Sequence, residues 1–207
     1  MLVRERMIPS GKRISASQTM ASVIETFEKI SSPWLPVVDQ EGTLLGLLTW
    51  ADAQKAKKIL ADNKHSQEIE LLVKDYMTTK YLFVTDNTPI EEAARIMIDY
   101  DFTELPVVKD GYYAGVITDK LMLRVLMEIT AARRQGIRLM VQLENKTGEL
   151  LRLLKIISDN DGSVEGFCTY CSQENEYLMA TMRVEGVDKY LLKQALKGEN
   201  FKVADIR

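Results

Sequence analysis

The chain has 207 residues, 46% of them apolar and 28% charged, which is typical of a soluble globular protein. Its formal net charge of −3 disfavours a nucleic-acid-binding protein, because a phosphate backbone requires a basic face on its partner. The sequence has neither an apolar run near the roughly 18 residues of a membrane span nor the apolar stretch of a signal peptide in "MLVRERMIPS", so we expect a cytoplasmic protein that binds no membrane.

Residues 1–60 predict a β-α-β-β-α unit. After a short strand at Ile14, the apolar residues of "TMASVIETFEKI" fall on one helical stripe. Leu35-Pro36-Val37-Val38 is a short strand rich in β-branched residues, and a turn at Gly42 returns the chain along "LLGLLT". The helix "WADAQKAKKIL" completes this first repeat.

Residues 61–76, "ADNKHSQEIELLVKDY", are polar at first and then apolar. They predict a charged helical connector that packs back at Ile69, Leu72 and Val73. The only histidine of the chain, His65, lies in the polar part, where no neighbouring residue offers a second metal ligand. We therefore expect neither a metal site nor a catalytic role at this histidine.

Residues 77–135 repeat the first unit. "PIEEAARIMIDY" predicts a second amphipathic helix, with Thr88 as its N-cap and Glu91 closing a capping box. Leu-Pro-Val-Val returns at residues 105–108, Gly111 marks the turn, and the strand "YAGVIT" and the helix "DKLMLRVLMEITAARR" follow. This internal repeat predicts two similar units that form one architecture.

The tail, residues 137–207, has a different pattern. The strand "IRLMVQLEN" and the helix of "TGELLRLLKIISDNDG" precede two strands at about 163–172 and 177–185, and "VDKYLLKQALKG" and "FKVADI" add a helix and a strand. This βαββαβ order is that of a ferredoxin-like unit, so the whole chain is predicted to be α+β. Cys168 and Cys171 lie on one strand, where residues three apart point to opposite faces, and we expect no metal or redox site there.

The end of the return strand in the first repeat carries the candidate chemistry, in "GLLTWAD", residues 46–52. A helix begins after Thr49, and a helix N-terminus offers free N–H groups and partial positive charge to a phosphate. Gly46 permits the close approach of a backbone. The Thr49 hydroxyl can donate to a phosphate, and the Asp52 carboxylate can accept both vicinal hydroxyls of a ribose. The same spacing is close to a capping box, so both interpretations remain open, and they are compatible.

An adenine ring requires an apolar slot, which the neighbouring strands can provide. The candidates in the two repeats are Ile14, Leu35, Pro36, Val37, Val84, Leu105, Pro106 and Val107. Each of them is equally consistent with an ordinary core position. Trp50 is suited to stack on a base or to cover a dimer contact, and the sequence leaves both open.

The second copy of the turn departs from the first. Thr118 remains, whereas Leu121 stands in place of the aspartate and cannot accept a hydrogen bond from a ribose. Asp119 lies at the first helical position, where the helix dipole favours its charge. Lys120 and Arg124 are either phosphate-binding cations or solvated side chains. We therefore predict a second site of Val84, Leu105, Pro106, Val107, Thr118, Asp119 and Lys120 that is degraded, changed in specificity or empty.

The repeated Leu-Pro-Val-Val, with a Gly-x-x-Thr at 46–49 and 115–118, resembles a tandem pair of CBS domains. That resemblance implies that Asp52 holds the ribose and Thr49 the phosphate of an adenine nucleotide. The tail stretch "ENKTGELLRLLKIISDNDGSV" resembles an ACT domain, in which the loop before the first helix binds a small effector at a subunit interface. The corresponding residues here are Asn145, Thr147 and Gly148, and the ACT pattern has Asp and Pro in place of the first two.

The order CBS–CBS–ACT resembles the bacterial acetoin-utilisation regulatory proteins. It implies a cytoplasmic sensor, expected to be a homodimer, that binds AMP, ADP or ATP as a regulatory ligand and signals to its ACT-like unit or to a partner protein. The alternative is a ligand-independent dimeric interaction module that regulates a partner protein, with the ACT-like unit as its dimerisation domain. An enzyme is the weakest hypothesis, because no nucleophile–base pair, phosphate-cradling Gly-rich loop or metal cluster stands out, so we expect no catalytic residue, no metal and no required cofactor.

Overall fold

The structure, a computed structural model, describes residues 1–9, 11–30, 32–62, 70–171 and 177–207. The chain divides into two compact units, Met1–Met122 and Leu123–Arg207. Within the described ranges, no helix combines the length and the apolarity that crossing a membrane requires. His65 and Ile69 of the predicted connector lie outside these ranges.

The first unit contains both repeats as far as Met122, within the last helix of the second repeat. A short 3-10 turn precedes each repeat, at Val3–Glu5 and at Val73–Asp75. The first repeat consists of β1 (Ile8–Pro9), β2 (Ile14–Ser15), α1 (Met20–Phe27), β3 (Trp34–Val38), β4 (Leu44–Thr49) and α2 (Trp50–Asp62). The second consists of β5 (Val84–Thr85), α3 (Ile90–Asp99), β6 (Glu104–Lys109), β7 (Tyr112–Thr118) and α4 (Asp119–Ile129). From β2 and from β5 onward the order is the predicted β-α-β-β-α, and α2 continues to Asp62, into the segment predicted as connector.

The segments that open the two repeats along the chain join the sheet of the other repeat. In the first repeat β2 is parallel to β3, which is antiparallel to β4, and in the second β5 is parallel to β6, which is antiparallel to β7. However, β1 pairs with β7, where Ile8 is opposite Val116. In the same way, Thr78 forms a bridge with Leu47 of β4. The repeats are thus interlocked by backbone hydrogen bonds between residues far apart in the sequence.

Gly46 and Gly115 lie where these crossing segments approach most closely. A Cβ on Gly115 would lie 2.2 Å from the carbonyl oxygen of Ile8, and a Cβ on Gly46 would lie 2.7 Å from that of Thr78. Both distances are far shorter than a van der Waals contact, so only glycine fits. The backbone that Gly46 was expected to admit is therefore that of the segment at Thr78.

The helices of the first unit cover their sheets with the apolar faces that the periodicity predicts. Met20, Val23 and Phe27 of α1 are buried in the core of the first repeat, and Val73 of the predicted connector packs against them as predicted. The predicted cap of α3 is wrong. Pro89 precedes the first helical residue, and the Thr88 hydroxyl accepts instead from the backbone N–H of Thr85, because Thr88 lies one residue too early.

The second unit has the βαββαβ order of a ferredoxin-like arrangement. Its elements are β8 (Ile137–Glu144), α5 (Glu149–Asp159), β9 (Ser163–Cys171), β10 (Tyr177–Glu185), α6 (Lys189–Gly198) and β11 (Lys202–Ile206). The strands form one antiparallel sheet in the order β11-β8-β10-β9. Cys168 is opposite Thr181 and Cys171 is opposite Leu178, an odd spacing that places the two thiols on opposite faces of the strand.

Candidate functional site

A cavity of about 600 Å³ in the first unit is lined by both repeats. Its lining residues are 49–51, 80–82 and 101–106, together with Pro33, Trp34, Leu47 and Thr78. Aromatic side chains are prominent among them, from Trp34, Trp50, Tyr81 and Phe102. The volume is within the range of roughly 300–1,000 Å³ that small-molecule sites have, and the lining is mainly apolar with a few polar groups, as such sites require.

Thr49 and Asp52 meet at the edge of this cavity. The Thr49 Oγ1 donates to Asp52 Oδ2 at 2.6 Å and accepts from the backbone N–H of Asp52 at 3.2 Å. Lys55 Nζ donates to the other carboxylate oxygen at 2.8 Å. Thr49 therefore caps α2 in this structure, and Asp52, whose side chain is 18% exposed, directly follows the lining residues Thr49–Ala51 without being one of them.

The carboxyl of Asp52 is held ionised by its neighbours. Burial on its own raises the pKa, but the hydrogen bonds from Lys55 and Thr49 and the charge of Lys55 outweigh it, so the pKa lies below its ordinary value of 3.8. An ionised carboxylate has only acceptor sites. Asp52 can therefore accept hydroxyl donors, provided that they replace Thr49 and Lys55.

The first N–H groups of α2 lie at the same edge of the cavity as Thr49. Helix geometry leaves these groups without an intrahelical partner. The N–H of Trp50 donates to the Pro33 carbonyl and that of Asp52 to the Thr49 hydroxyl. Ala51 lines the cavity, and in the described part of the chain its N–H has no acceptor. Thr49 and Lys80 also line this cavity and add a hydroxyl and an ammonium group to its lining.

Most of the apolar candidates are core residues rather than cavity residues. Ile14, Leu35 and Val37 belong to the core of the first repeat, and Pro36, Val84 and Val107 are also buried and do not line the cavity. Leu105 and Pro106 do line it. These two residues of the second repeat therefore share the cavity with Thr49 and Trp50 of the first. Thr118, Asp119 and Lys120, which follow the strand paired with Leu105 and Pro106, do not line it.

Trp50 lies between a core side chain and the cavity. Its ring lies against that of Phe27, with a centroid distance of 5.4 Å and a tilt of 53°. It also lines the cavity beside Thr49. Trp50 is therefore placed where a base can contact it.

Glu104, Lys80 and Phe102 line the cavity and are absent from the residues that the sequence suggested. Trp34 directly precedes the first Leu-Pro-Val-Val copy and Glu104 directly precedes the second. A comparison of the two copies at this position could therefore have identified Glu104 as a candidate site residue. Lys80 and Phe102 belong to no such motif. They reach the cavity because the repeats interlock.

The second turn has a different arrangement. The Thr118 hydroxyl accepts from the N–H of Leu121 at 3.3 Å, and Asp119 accepts from the N–H of Lys120 at 2.5 Å, while Leu121 is buried. None of these residues lines the cavity beside Thr49. Arg124 lines a separate cavity of about 650 Å³ with Arg133 and Arg134.

The loop predicted to bind an effector in the tail directly precedes α5. Gly148 precedes α5 with a φ of +92°, which favours glycine, and Glu149 is buried beside Arg152, whose Nη1 donates to it at 2.7 Å. A cavity of about 490 Å³ includes Glu149 and Arg152 but not Asn145, Thr147 or Gly148. Among the described residues of the chain, no group of three or more His, Cys, Asp or Glu side chains could hold a metal ion.

Comparisons with known proteins agree with this architecture. An uncharacterized protein of Methanocaldococcus jannaschii is 27% identical over 174 residues, 77% of this chain, and the chain spans 60% of that protein's length. The crystal structure of CBSX2 from Arabidopsis thaliana in complex with AMP aligns with a TM-score of 0.53 and 27% identity, covering 64% of this chain and 98% of that structure. An acetoin utilization protein (AcuB) structure from Vibrio cholerae aligns with a TM-score of 0.55 over 66% of this chain and 98% of that structure, and its 20% identity shows the shared fold alone.

The two repeats themselves identify the family. Residues 3–59 and 73–128 match the CBS domain, and these ranges make up more than half of the chain. They contain both Leu-Pro-Val-Val strands, both Gly-x-x-Thr turns and every element that lines the cavity beside Thr49. The chain therefore belongs to the CBS domain family, as a tandem pair of CBS domains.

Proposed function

We propose that this chain is a cytoplasmic regulatory protein whose CBS pair binds an adenine nucleotide in the cavity beside Thr49. The observation that carries the proposal is the Thr49–Asp52 pair at the edge of an apolar cavity, with the start of α2 beside it. The CBSX2 structure, a complex with AMP at 27% identity, supports the same ligand class.

Each part of such a ligand has a matching group. The Asp52 carboxylate accepts the two ribose hydroxyls once Thr49 and Lys55 release it. The freed Thr49 hydroxyl, the Ala51 N–H and Lys80 then hold a phosphate. The aromatic and apolar part of the cavity takes the base. In the free protein Asp52 accepts from Thr49 and Lys55, and in the complex it accepts from the ribose hydroxyls. Binding thus changes the protein from one hydrogen-bonded state to another, as a sensor requires.

We expect Asp52→Ala to weaken the binding of AMP about ten- to a hundredfold, because charged hydrogen bonds to a ligand contribute about 1.5–3 kcal/mol. Titration calorimetry on the full chain measures this. Asp62→Ala, a change of the same type at the far end of α2, is the control and should bind like the wild type. The proposal fails if the wild type binds no adenine nucleotide, or if Asp52→Ala binds AMP as tightly as Asp62→Ala does.

The tail is proposed to be an ACT-like unit that receives the signal or mediates dimerisation. Its βαββαβ order and its antiparallel sheet support the first part of this assignment. Binding of a nucleotide by the CBS pair would shift the population between two states of the chain, and the tail or a partner protein would respond to that shift. Asn145, Thr147 and Gly148 remain the proposed effector loop.

A second candidate function is that of a dimeric interaction module that needs no ligand. One side of α4 favours it, because Leu123, Leu126 and Ile129 are between 42% and 63% exposed at intervals of three residues. Exposed apolar stripes of this kind mark association surfaces. A homodimer formed through this stripe would bury it.

Leu126→Lys is expected to convert a dimer into a monomer, because a charge in an apolar interface is not compensated. Size-exclusion chromatography with light scattering, with and without AMP, measures the mass. Ile98→Lys, which changes an exposed residue of α3, is the control. A monomeric wild type would contradict this second candidate, and a dimer that is equally stable without AMP would favour it.

A further inference from the structure

We infer that the cavity beside Thr49 selects adenosine compounds with at most one phosphate and rejects ATP, and that Glu104 is the residue that enforces this choice. The inference rests on the proposed function and names the ligand class of that same site. It follows from the charged side chains that line the cavity, because they provide fewer cations than the binding of a polyphosphate requires.

The cavity has few cations for a triphosphate. Among its described lining residues, Lys80 is the only cation, whereas Asp101 and Glu104 are both acidic. Sites for polyphosphates surround the phosphates with cations and N–H groups, since charge must be neutralised where water is displaced. Here Lys80, the Thr49 hydroxyl and the Ala51 N–H suffice for one phosphate, and any further phosphate adds negative charge to a cavity that already carries more acidic than basic groups.

Glu104 is held in place by the other repeat. The hydroxyl of Ser32 lies 3.3 Å from its Oε2, and the side chain is half-buried between the repeats. Burial and the nearby Asp119 raise the pKa of Glu104, with Ser32 and Lys120 acting in the opposite direction. A carboxylate with reduced solvation is screened less than one in water, so its repulsion of a phosphate chain is correspondingly strong.

The aromatic side chains of the cavity do not change this preference for AMP over ATP. Trp34, Trp50, Tyr81 and Phe102 offer apolar contact that is the same for adenosine, AMP and ATP. Discrimination among these three ligands therefore arises from charge alone. Lys80 sets the preference for AMP over adenosine, and Glu104 sets the preference for AMP over ATP.

Titration calorimetry at pH 8 without magnesium, on the full chain with adenosine, AMP and ATP, tests the inference. We expect wild-type protein to bind AMP at least about tenfold more tightly than ATP, and Glu104→Gln to reduce that ratio at least about threefold by binding ATP more tightly. Lys80→Met should bring the affinity for AMP close to that for adenosine. The binding of uncharged adenosine verifies that each variant retains the cavity.

Glu91→Gln is the matched control, because it removes one negative charge from the exposed side of α3, outside the cavity. It should preserve the wild-type preference. Equal affinities of the wild type for AMP and ATP, or the same ratio in Glu104→Gln and Glu91→Gln, would overturn the inference while leaving the nucleotide site intact. Failure of all three ligands to bind the wild type would overturn the proposed function as well.

Discussion

Gly115→Ala is expected to lower the free energy of unfolding by about 1–3 kcal/mol, the cost of forcing extra atoms into a packed site. The new Cβ would lie 2.2 Å from the carbonyl oxygen of Ile8, which is a backbone atom on a paired strand and cannot rotate away. Either β1 separates from β7 or the strands distort. Urea denaturation followed by circular dichroism measures the loss.

Gly46→Ala should have the same effect to a smaller extent, because its Cβ would lie 2.7 Å from the Thr78 carbonyl oxygen. Gly11→Ala is the control, since a Cβ there has no heavy atom within 4 Å. If Gly115→Ala and Gly11→Ala unfold at the same urea concentration, the close approach of the crossing segment does not matter for stability. The ranking of the three variants is therefore as informative as the size of any one effect.

The sequence was sufficient to predict the order of the elements in both repeats, because that order depends on local patterns. Apolar stripes, β-branched strands and turn glycines can each be recognised within a few residues. The internal repeat shows the same pattern twice, so each copy supports the prediction made from the other. The pairing of each repeat's opening segment with the sheet of the other repeat was not predictable in this way. The pairing of Ile8 with Val116 joins residues more than a hundred positions apart, and two-residue strands have no periodicity to detect.

In the candidate site, too, the local contacts were predictable from the sequence and the long-range ones were not. Thr49 and Asp52 are three residues apart across a strand-to-helix turn, so their contact follows from local geometry, and the predicted capping interaction is present. Leu105 and Pro106 were grouped with the turn of their own repeat, yet they line the cavity beside Thr49. Only the packing of one repeat on the other decides which strand faces which turn.

Tyr113 gives the interface between the repeats a titratable group. It is 7% exposed and packs with Val38 and Leu44 of the first repeat, and its N–H donates to the carbonyl of Gly42 at 3.0 Å. Burial raises the pKa of its hydroxyl from 10.0 to about 12; the negative charge of Glu104 adds to the rise and Arg13 opposes it. The folded protein therefore retains a proton that the unfolded chain releases first.

This difference makes the free energy of unfolding fall as the pH rises from about 10 to about 12. Below pH 10 both states hold the proton and the contribution of Tyr113 is complete, and near pH 12 it is lost. This rise of the pKa of Tyr113 from 10.0 to about 12 corresponds to about 2–3 kcal/mol. Tyr113→Phe removes the group, so urea denaturation between pH 9 and 11.5 should show a shallower decline for this variant than for the wild type. Tyr112→Phe, at the exposed neighbouring position, should decline like the wild type, and equal slopes for all three proteins would contradict a buried, protonated Tyr113 between the repeats.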